Sequence, residues 1–230
     1  MAARSRRART ASGGDALTRD RIQAVAAELY VLRGHDGFSF GDIAAAIGTT
    51  RANIHHHFGN KRRLMAELID SFVADAQTRI AAHWSAPGAS FARRLAANVA
   101  DLRRFHRRFN PRRGSRNVWS PIARIRLDLP VLGRLARDAL ERVDAAYDAS
   151  IRRAVDDAIS AGELSPETPA ADVSRLVRAT LLTCAPITQD SGSFREVELF
   201  LSALGRTIVA AWGATPGRCA PSRRKRQRRD

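Results

Sequence analysis

The sequence predicts an all-α protein, and three observations support that fold class. Apolar residues recur every three or four positions from residue 22 onwards, which places them on one face of successive helices. Ser, Thr or Asn precedes several of these stripes, and Gly or Pro follows them, as is typical of helix starts and ends. No segment shows the alternating pattern of a half-buried strand. We therefore expect about nine helices, no sheet and no internal repeat.

The first two predicted helices are separated by a glycine-containing break. Thr18 can cap the first helix, whose apolar stripe runs up to Gly34. Ser39 can cap a short second helix, and Asp42 then lies in its first turn, where a carboxylate meets the positive end of the helix dipole. Gly48 ends this helix, because glycine readily adopts the left-handed conformation of a helix C-cap.

Seven more helices follow in the same way. Thr50 can cap a short third helix of about residues 51–57, and Asn60 can cap a fourth that continues toward Trp84. The other five are expected at about residues 91–109, 119–128, 130–162, 169–184 and 193–213.

The charge of the chain is strongly positive and concentrated at its ends. The formal net charge is +16 over 230 residues, and Lys61 and Lys225 are the only lysines among 39 basic residues. Residues 1–10 carry +4 and residues 218–230 carry +6, which leaves +6 for the rest. Such a charge is typical of proteins that bind nucleic acid phosphates. A coding bias towards arginine, with solvated arms at both ends, explains the charge equally simply.

Several protein classes are disfavoured by the sequence. Two cysteines do not make a disulfide framework, and no apolar run of about 18 residues predicts a membrane span. The basic start lacks the apolar core of a secretory signal. No P-loop, nucleophile elbow or zinc-protease motif is present. We therefore expect a cytoplasmic protein that is not an enzyme and needs no metal or cofactor.

The second and third helices have the plan of a helix-turn-helix unit. Two short helices joined by a tight turn containing Gly48 allow the second helix to enter the major groove of DNA. Its first residues form the sequence TTRAN, residues 49–53, whose side chains suit base and phosphate contacts. The predicted DNA-binding residues are Thr49, Thr50, Arg51, Ala52, Asn53, His55, His56 and Lys61.

The segment GFSFGDIAAAIGTTRANIHHHFGNKRRLMAEL resembles the DNA-binding domain of the TetR family of bacterial transcriptional regulators. The resemblance rests on Ile43-Ala44, on the histidines before Phe58 and on Asn60-Lys61. The family usually has tyrosine at the position of His55 and glutamate at that of Arg62. The resemblance covers about residues 18–72, and it implies a phosphate contact for Lys61 at the start of the fourth helix.

The three consecutive histidines do not predict a metal site. Adjacent residues on a helix point about 100° apart, so His55, His56 and His57 cannot converge on one ion. We expect His55 and His56 to face DNA, and His57 either to do so or to pack beside Phe58.

The resemblance also implies a domain plan and a second function for the body. It implies a DNA-binding domain at 18–72, with the helix-turn-helix at 39–58, and an effector-binding and dimerisation domain at 73–213. The ends, 1–17 and 214–230, are expected to be disordered basic arms. The implied pocket residues are Trp84, Phe105, Phe109, Trp119, Arg126, Tyr147 and Cys184, and the implied homodimer contacts are Val173, Leu176, Val177, Leu181, Phe200, Leu201, Leu204 and Ile208.

The expected function is a sequence-specific DNA-binding regulator, a repressor released from an inverted-repeat operator by a small molecule. The arginines between residues 103 and 126 either form a solvated face or favour an effector with an apolar body and an acidic group. A protein that coats DNA without sequence preference is the alternative favoured by the charge, and an enzyme with a helical body is a weaker one.

Overall fold

The computed structural model describes residues 2–214, with side chains from Thr18 onwards. The predicted tail, 214–230, lies outside the described residues apart from Ala214, as do the side chains of the predicted arm, 1–17. Within the described range the structure is helical and contains no strand. The helices are α1 Ala2–Arg33, α2 Phe40–Ile47, α3 Arg51–Phe58, α4 Lys61–Trp84, α5 Phe91–Phe109, α6 Pro121–Leu127, α7 Leu129–Leu132, α8 Arg134–Ser160, α9 Ala170–Leu182, α10 Cys184–Ser191 and α11 Arg195–Trp212.

The predicted caps of the short helices are confirmed. Ser39 and Asp42 form a reciprocal capping box at the start of α2, with the Ser39 amide donating to Asp42 Oδ2 at 2.8 Å. Thr50 and Asn60 cap α3 and α4 through their side-chain oxygens. Thr18, in contrast, lies inside α1, which begins at Ala2. The early residues are rich in alanine and arginine, which have high helix propensity.

Eleven helices are present in residues 2–214 instead of the predicted nine, because the predicted helix at 130–162 is divided in two and the one at 169–184 is followed by a further helix, α10. Gly133, at φ 57°, separates the single turn of α7 from α8. Pro186 has no amide hydrogen, so it cannot donate to the Leu182 carbonyl four residues earlier, and α9 ends there.

Helix α4 connects the N-terminal part of the chain, α1 to α3, which we call the head, to the helices α5 to α11, which we call the body. Its first half buries Leu64 and Leu68 against the head, and its second half buries Ile80 and Trp84 in the body. In the body α4 packs along α8, and α8 packs along α9. No described helix is long and apolar enough to cross a membrane.

Candidate functional site

The turn between α2 and α3 is built by local backbone geometry. Gly48 has a left-handed φ of 69°, and the Thr49 amide then donates to the Ala44 carbonyl at 2.9 Å. The Thr50 hydroxyl accepts the Asn53 amide hydrogen at 3.2 Å, which starts α3 immediately after the turn. These bonds set the direction of α3 relative to α2.

Helix α3 buries one face and exposes the other. Ile54 and Phe58, four residues apart, are fully buried in the head. The opposite side carries no acidic residue and presents polar, basic and small side chains to solvent. The exposed residues of this helix, which we call the α3 outer face, are Arg51, Ala52, His55 and His56.

Three of the predicted DNA-binding residues are also engaged within the head. Asn53 is half-buried and its amide nitrogen donates to the Thr49 hydroxyl at 3.0 Å, so Asn53 steadies the turn. The Arg51 guanidinium lies across Gly41, where a Cβ atom would stand 3.0 Å from Nη2. Arg51 therefore depends on the missing side chain of Gly41 for its position.

The histidines point in different directions. The His55 Nδ1 atom is 2.8 Å from the Gly59 carbonyl oxygen, and since a carbonyl only accepts, Nδ1 carries the proton. The His55 ring also packs edge-on against Phe40, with centroids 4.8 Å apart. The rings of His56 and His57 pack edge-on against each other instead, with centroids 5.6 Å apart. Among residues 18–214, no group of His, Cys, Asp or Glu is arranged to hold a metal ion.

Lys61 has a structural role that the sequence did not reveal. Its ammonium donates to the carbonyl oxygens of His35 and Phe38, the latter at 2.6 Å, and lies 4.5 Å from the centre of the Phe38 ring. Burial lowers the pKa of Lys61 below its ordinary value. An ammonium has three hydrogens, so one remains for the phosphate contact predicted from the sequence.

Helix α6 attaches the end of α1 to the body. Arg124 donates from Nε to the Val31 carbonyl at 2.9 Å and from Nη2 to the Leu32 carbonyl at 3.1 Å. Asp128, which caps α6, accepts the His35 amide hydrogen at 2.8 Å. Two of the last carbonyls of α1, which have no partner within the helix, are therefore satisfied by a side chain of the body. We call these contacts the α1–α6 joint.

Two adjacent cavities lie in the body, and four of the predicted pocket residues line them. The inner cavity, between α4, α5, α6, α8 and α9, leaves about 50 Å³ for solvent and is lined by Phe105, Trp119 and Tyr147. The outer cavity, of about 280 Å³, lies between the body and α1 and is lined by Phe105 and Phe109. The indole nitrogen of Trp119 donates to the Thr188 hydroxyl at 2.7 Å, which fixes that wall.

The other three predicted pocket residues do not line either cavity. Trp84 is fully buried and packs against Phe91, with ring centroids 5.8 Å apart. Cys184 is buried and close to the end of α9, where burial raises its pKa to about 12. Arg126 is exposed and donates to the Leu182 carbonyl at 2.9 Å. It thereby replaces the hydrogen bond that Pro186 cannot make.

The arginines of residues 103–126 do not line the cavities either, with one exception at the outer rim, Arg108. The arginines therefore give no support for an acidic effector in these cavities, and six of them have other partners. Arg103 pairs with Glu198, Arg104 with Asp101, Arg108 with Glu28, Arg116 with the Gln189 and Asp190 carbonyls, and Arg124 and Arg126 with the ends of α1 and α9.

Polar residues at the inner cavity were missed from the sequence. Asn98 and Asp101 are buried, and Arg79 reaches Asp101 with Nε at 3.1 Å. A signal was present, since Asn98 falls at helical spacing between Leu95 and Leu102 and so interrupts an apolar stripe.

The predicted dimer stripe divides into two sets. Leu176 and Phe200 are half exposed, at 50% and 52%, and Leu204 is partly buried. The remaining five residues face the core of the same subunit, so their assignment to a dimer contact is corrected. They are Val173, Val177, Leu181, Leu201 and Ile208.

Comparisons with known proteins agree with this architecture. Residues 22–68 match the family model described as bacterial regulatory proteins, tetR family. A TetR transcriptional regulator from Chloroflexus aurantiacus superposes with a TM-score of 0.74 at 23% identity, over 88% of this chain and 99% of that one. The reduced form of Escherichia coli NemR gives 0.69 at 16% identity, over 86% and 98% of the two chains.

A TetR-family regulator from Agrobacterium tumefaciens gives a TM-score of 0.68 at 19% identity, covering 87% of this chain and all of that one. No curated protein matches the sequence. The matched segment spans the end of α1, the helix-turn-helix and the start of α4. Residues 22–68 therefore carry the sequence pattern of the tetR family of bacterial regulatory proteins, and the chain as a whole has the fold of solved TetR-family transcriptional regulators.

Proposed function

We propose that this regulator is a repressor that binds an inverted-repeat operator as a homodimer and is released by a small apolar effector. The α3 outer face would enter the major groove, with Arg51 and Ala52 closest to the base edges at the start of the helix. Lys61, with one ammonium hydrogen left over, would contact a phosphate. Because Nδ1 of His55 donates to Gly59, its ring would bond a phosphate only with Nε2 protonated as well.

The dimer is supported by the distribution of exposed apolar side chains. Seven large apolar residues are exposed among residues 18–214, and four of them lie on α9 and α11. Exposed apolar side chains concentrated on one pair of helices are typical of an interface. The four are Leu176, Leu199, Phe200 and Val209.

The α1–α6 joint is the observation that supports release from DNA by an effector. Pro121, Ile122 and Ala123 of α6 line the inner cavity, and Arg124, next in the chain, holds the end of α1. A molecule that displaces the cavity wall would move α6, and α1 with it. If the separation of the two heads of a dimer changes, they no longer fit both half-sites of the operator at once. An effector that binds this displaced conformation more tightly than the DNA-bound conformation therefore releases the DNA.

Selection of bound duplexes from a random DNA library tests the DNA-binding part without any effector. We expect an inverted repeat whose half-sites are about one helical turn, or a multiple of it, apart. Enrichment without a shared sequence would favour the DNA-coating alternative instead.

Two arginine variants separate base reading from general charge. Arg51→Ala should relax base preference at one position of each half-site, at about 1–3 kcal/mol per lost contact. Arg62→Ala is the matched control, because it removes the same charge from an exposed site at the start of α4. It should weaken binding to all sequences alike and reduce the salt dependence. Equal effects of the two variants on base preference would contradict the proposed docking of α3.

A further inference from the structure

The inner and outer cavities are adjacent and share part of their lining. Arg79 and Phe105 line both cavities, and the Arg79 guanidinium stacks on the Phe105 ring at 4.4 Å from its centre. Pro121 and Ile122 of α6 also border both spaces. Together the two volumes amount to about 330 Å³, which reaches the size of small-molecule sites. The inner cavity alone is too small for such a ligand.

The inner end of this space offers an unpaired hydrogen-bond acceptor. Asn98 is only 3% exposed, it lines the inner cavity, and its Oδ1 atom has no partner within the described part of the chain. The Asn98 amide also hydrogen-bonds with the hydroxyl of Tyr147, whose pKa burial raises to about 12. A buried acceptor without a partner costs free energy, and a ligand hydroxyl or N–H group would remove that cost.

The charges around the space argue against an ionic ligand. Its lining holds three acids, Glu28, Asp75 and Asp101, and two bases, Arg79 and Arg108. Asp101 is held by Arg79 and also by Arg104, whose Nη2 is 2.7 Å from its carboxylate. An anionic ligand would meet the Asp101 carboxylate, and a cationic ligand would compete with two guanidinium groups already paired with it.

We propose that the effector is a neutral, elongated apolar molecule whose terminal hydroxyl or N–H group donates to Asn98 while its body displaces the Arg79–Phe105 pair and extends toward α1. This inference rests on the proposed function only in taking the ligand of these cavities to be the effector. It replaces the acidic group expected from the sequence. It also explains how a ligand held deep in the body could reach the DNA-binding head, because the outer cavity is lined by α1 itself.

A third space is larger but lacks these features. A groove of about 770 Å³ lies between α5 and α11 and is lined mainly by small apolar residues. Of its three charged residues, Arg103 and Glu198 pair with each other, and Arg206 is exposed to solvent. No unpaired buried polar atom of the described residues lies in its lining, so the groove offers no buried contact that would orient a polar group.

Calorimetric titration with four probes that share an eight-carbon chain tests the proposal on the full-length protein without DNA. The probes are 1-octanol, octanoate, octylammonium and methyl octyl ether, which share a chain and differ in their head group. We expect 1-octanol to bind most tightly and the ether, which cannot donate, about fivefold more weakly, as for one net hydrogen bond. In Asn98→Leu this difference should vanish. Ser202→Leu in the α5–α11 groove is the control and should leave all four affinities unchanged.

Tighter binding of octanoate or octylammonium would overturn the proposal, as would equal binding of the alcohol and the ether, or no binding of any probe. The comparison within the unaltered protein stands even if Asn98→Leu does not fold. Loss of alcohol binding in Ser202→Leu would place the ligand in the groove and would also overturn it. Because selection of an operator uses no ligand, failure of the DNA-binding function would be seen separately.

Discussion

The α1–α6 joint leads to a prediction whose size can be worked out from the structure. In Arg124→Gln the aliphatic stem is largely kept, but both hydrogen bonds to the Val31 and Leu32 carbonyls are lost. Hydrogen bonds from charged donors contribute about 1.5–3 kcal/mol each. One of these two is partly buried and the other is exposed, so screening by solvent reduces them to about 1 kcal/mol each. We expect the free energy of unfolding to fall by about 2 kcal/mol.

Arg126→Gln is a matched control on the same helix. Arg126 also donates to a helix-terminal carbonyl, that of Leu182, but through one exposed hydrogen bond. For a chain of this length each kcal/mol shifts Tm by about 2–4 °C. Arg124→Gln should therefore lower Tm by about 4–8 °C and Arg126→Gln by about 2–4 °C or less, measured by calorimetry at equal protein concentration.

Hydrogen exchange distinguishes the two variants by location. The His35 amide donates to Asp128 at the joint, so its exchange should accelerate in Arg124→Gln and stay unchanged in Arg126→Gln. The reasoning that this joint couples body and head would be refuted by either of two results. One is an equal fall of Tm in Arg124→Gln and Arg126→Gln, and the other is an equal change of operator affinity on adding effector to the two variants.

Three further predictions concern single residues. Gly41→Ala should raise the free energy of unfolding by at most about 1 kcal/mol, yet weaken operator binding, because the new Cβ atom displaces Arg51. Unaltered operator affinity in an anisotropy titration would show that Gly41 does not position Arg51. Burial lowers the pKa of His106, so the unfolded chain binds a proton more readily than the folded one. Urea unfolding should therefore show stability falling below about pH 6.5. An equal dependence of stability on pH in His106→Gln would contradict this. The Cys184 thiol, with its pKa raised to about 12, should resist alkylation by iodoacetamide at pH 8 in the folded protein, and mass spectrometry that found Cys184 modified before unfolding would contradict its burial.

The short helices were predictable from the sequence because their signals are local. A capping serine, an acidic residue three positions later and a glycine at the end are all contained within ten residues of α2. Proline is also a local signal for the end of α9, but the side chain that caps the Leu182 carbonyl, Arg126, comes from another helix and has no local sequence signal.

The dimer and pocket residues could be assigned only in part from the sequence, for a different reason. Helical periodicity identifies which face of α11 is buried, but not whether another helix of the same chain or a second subunit buries it. Ile208 and Phe200 are both apolar, yet one is 1% and the other 52% exposed. Partners such as Arg124 and Val31, separated by 93 residues, have no local sequence signal that predicts their contact.

The scarcity of lysine has a practical consequence for any study of this protein in cells. Formaldehyde and amine-directed reagents react with free amino groups, for which lysine is the main side chain in proteins. Of the two lysines in the sequence, Lys61 already donates two of its three ammonium hydrogens to backbone carbonyls. Amine-based cross-linking would therefore capture few of the DNA sites that the protein occupies, and ultraviolet cross-linking or a fused DNA-modifying enzyme would record them more completely.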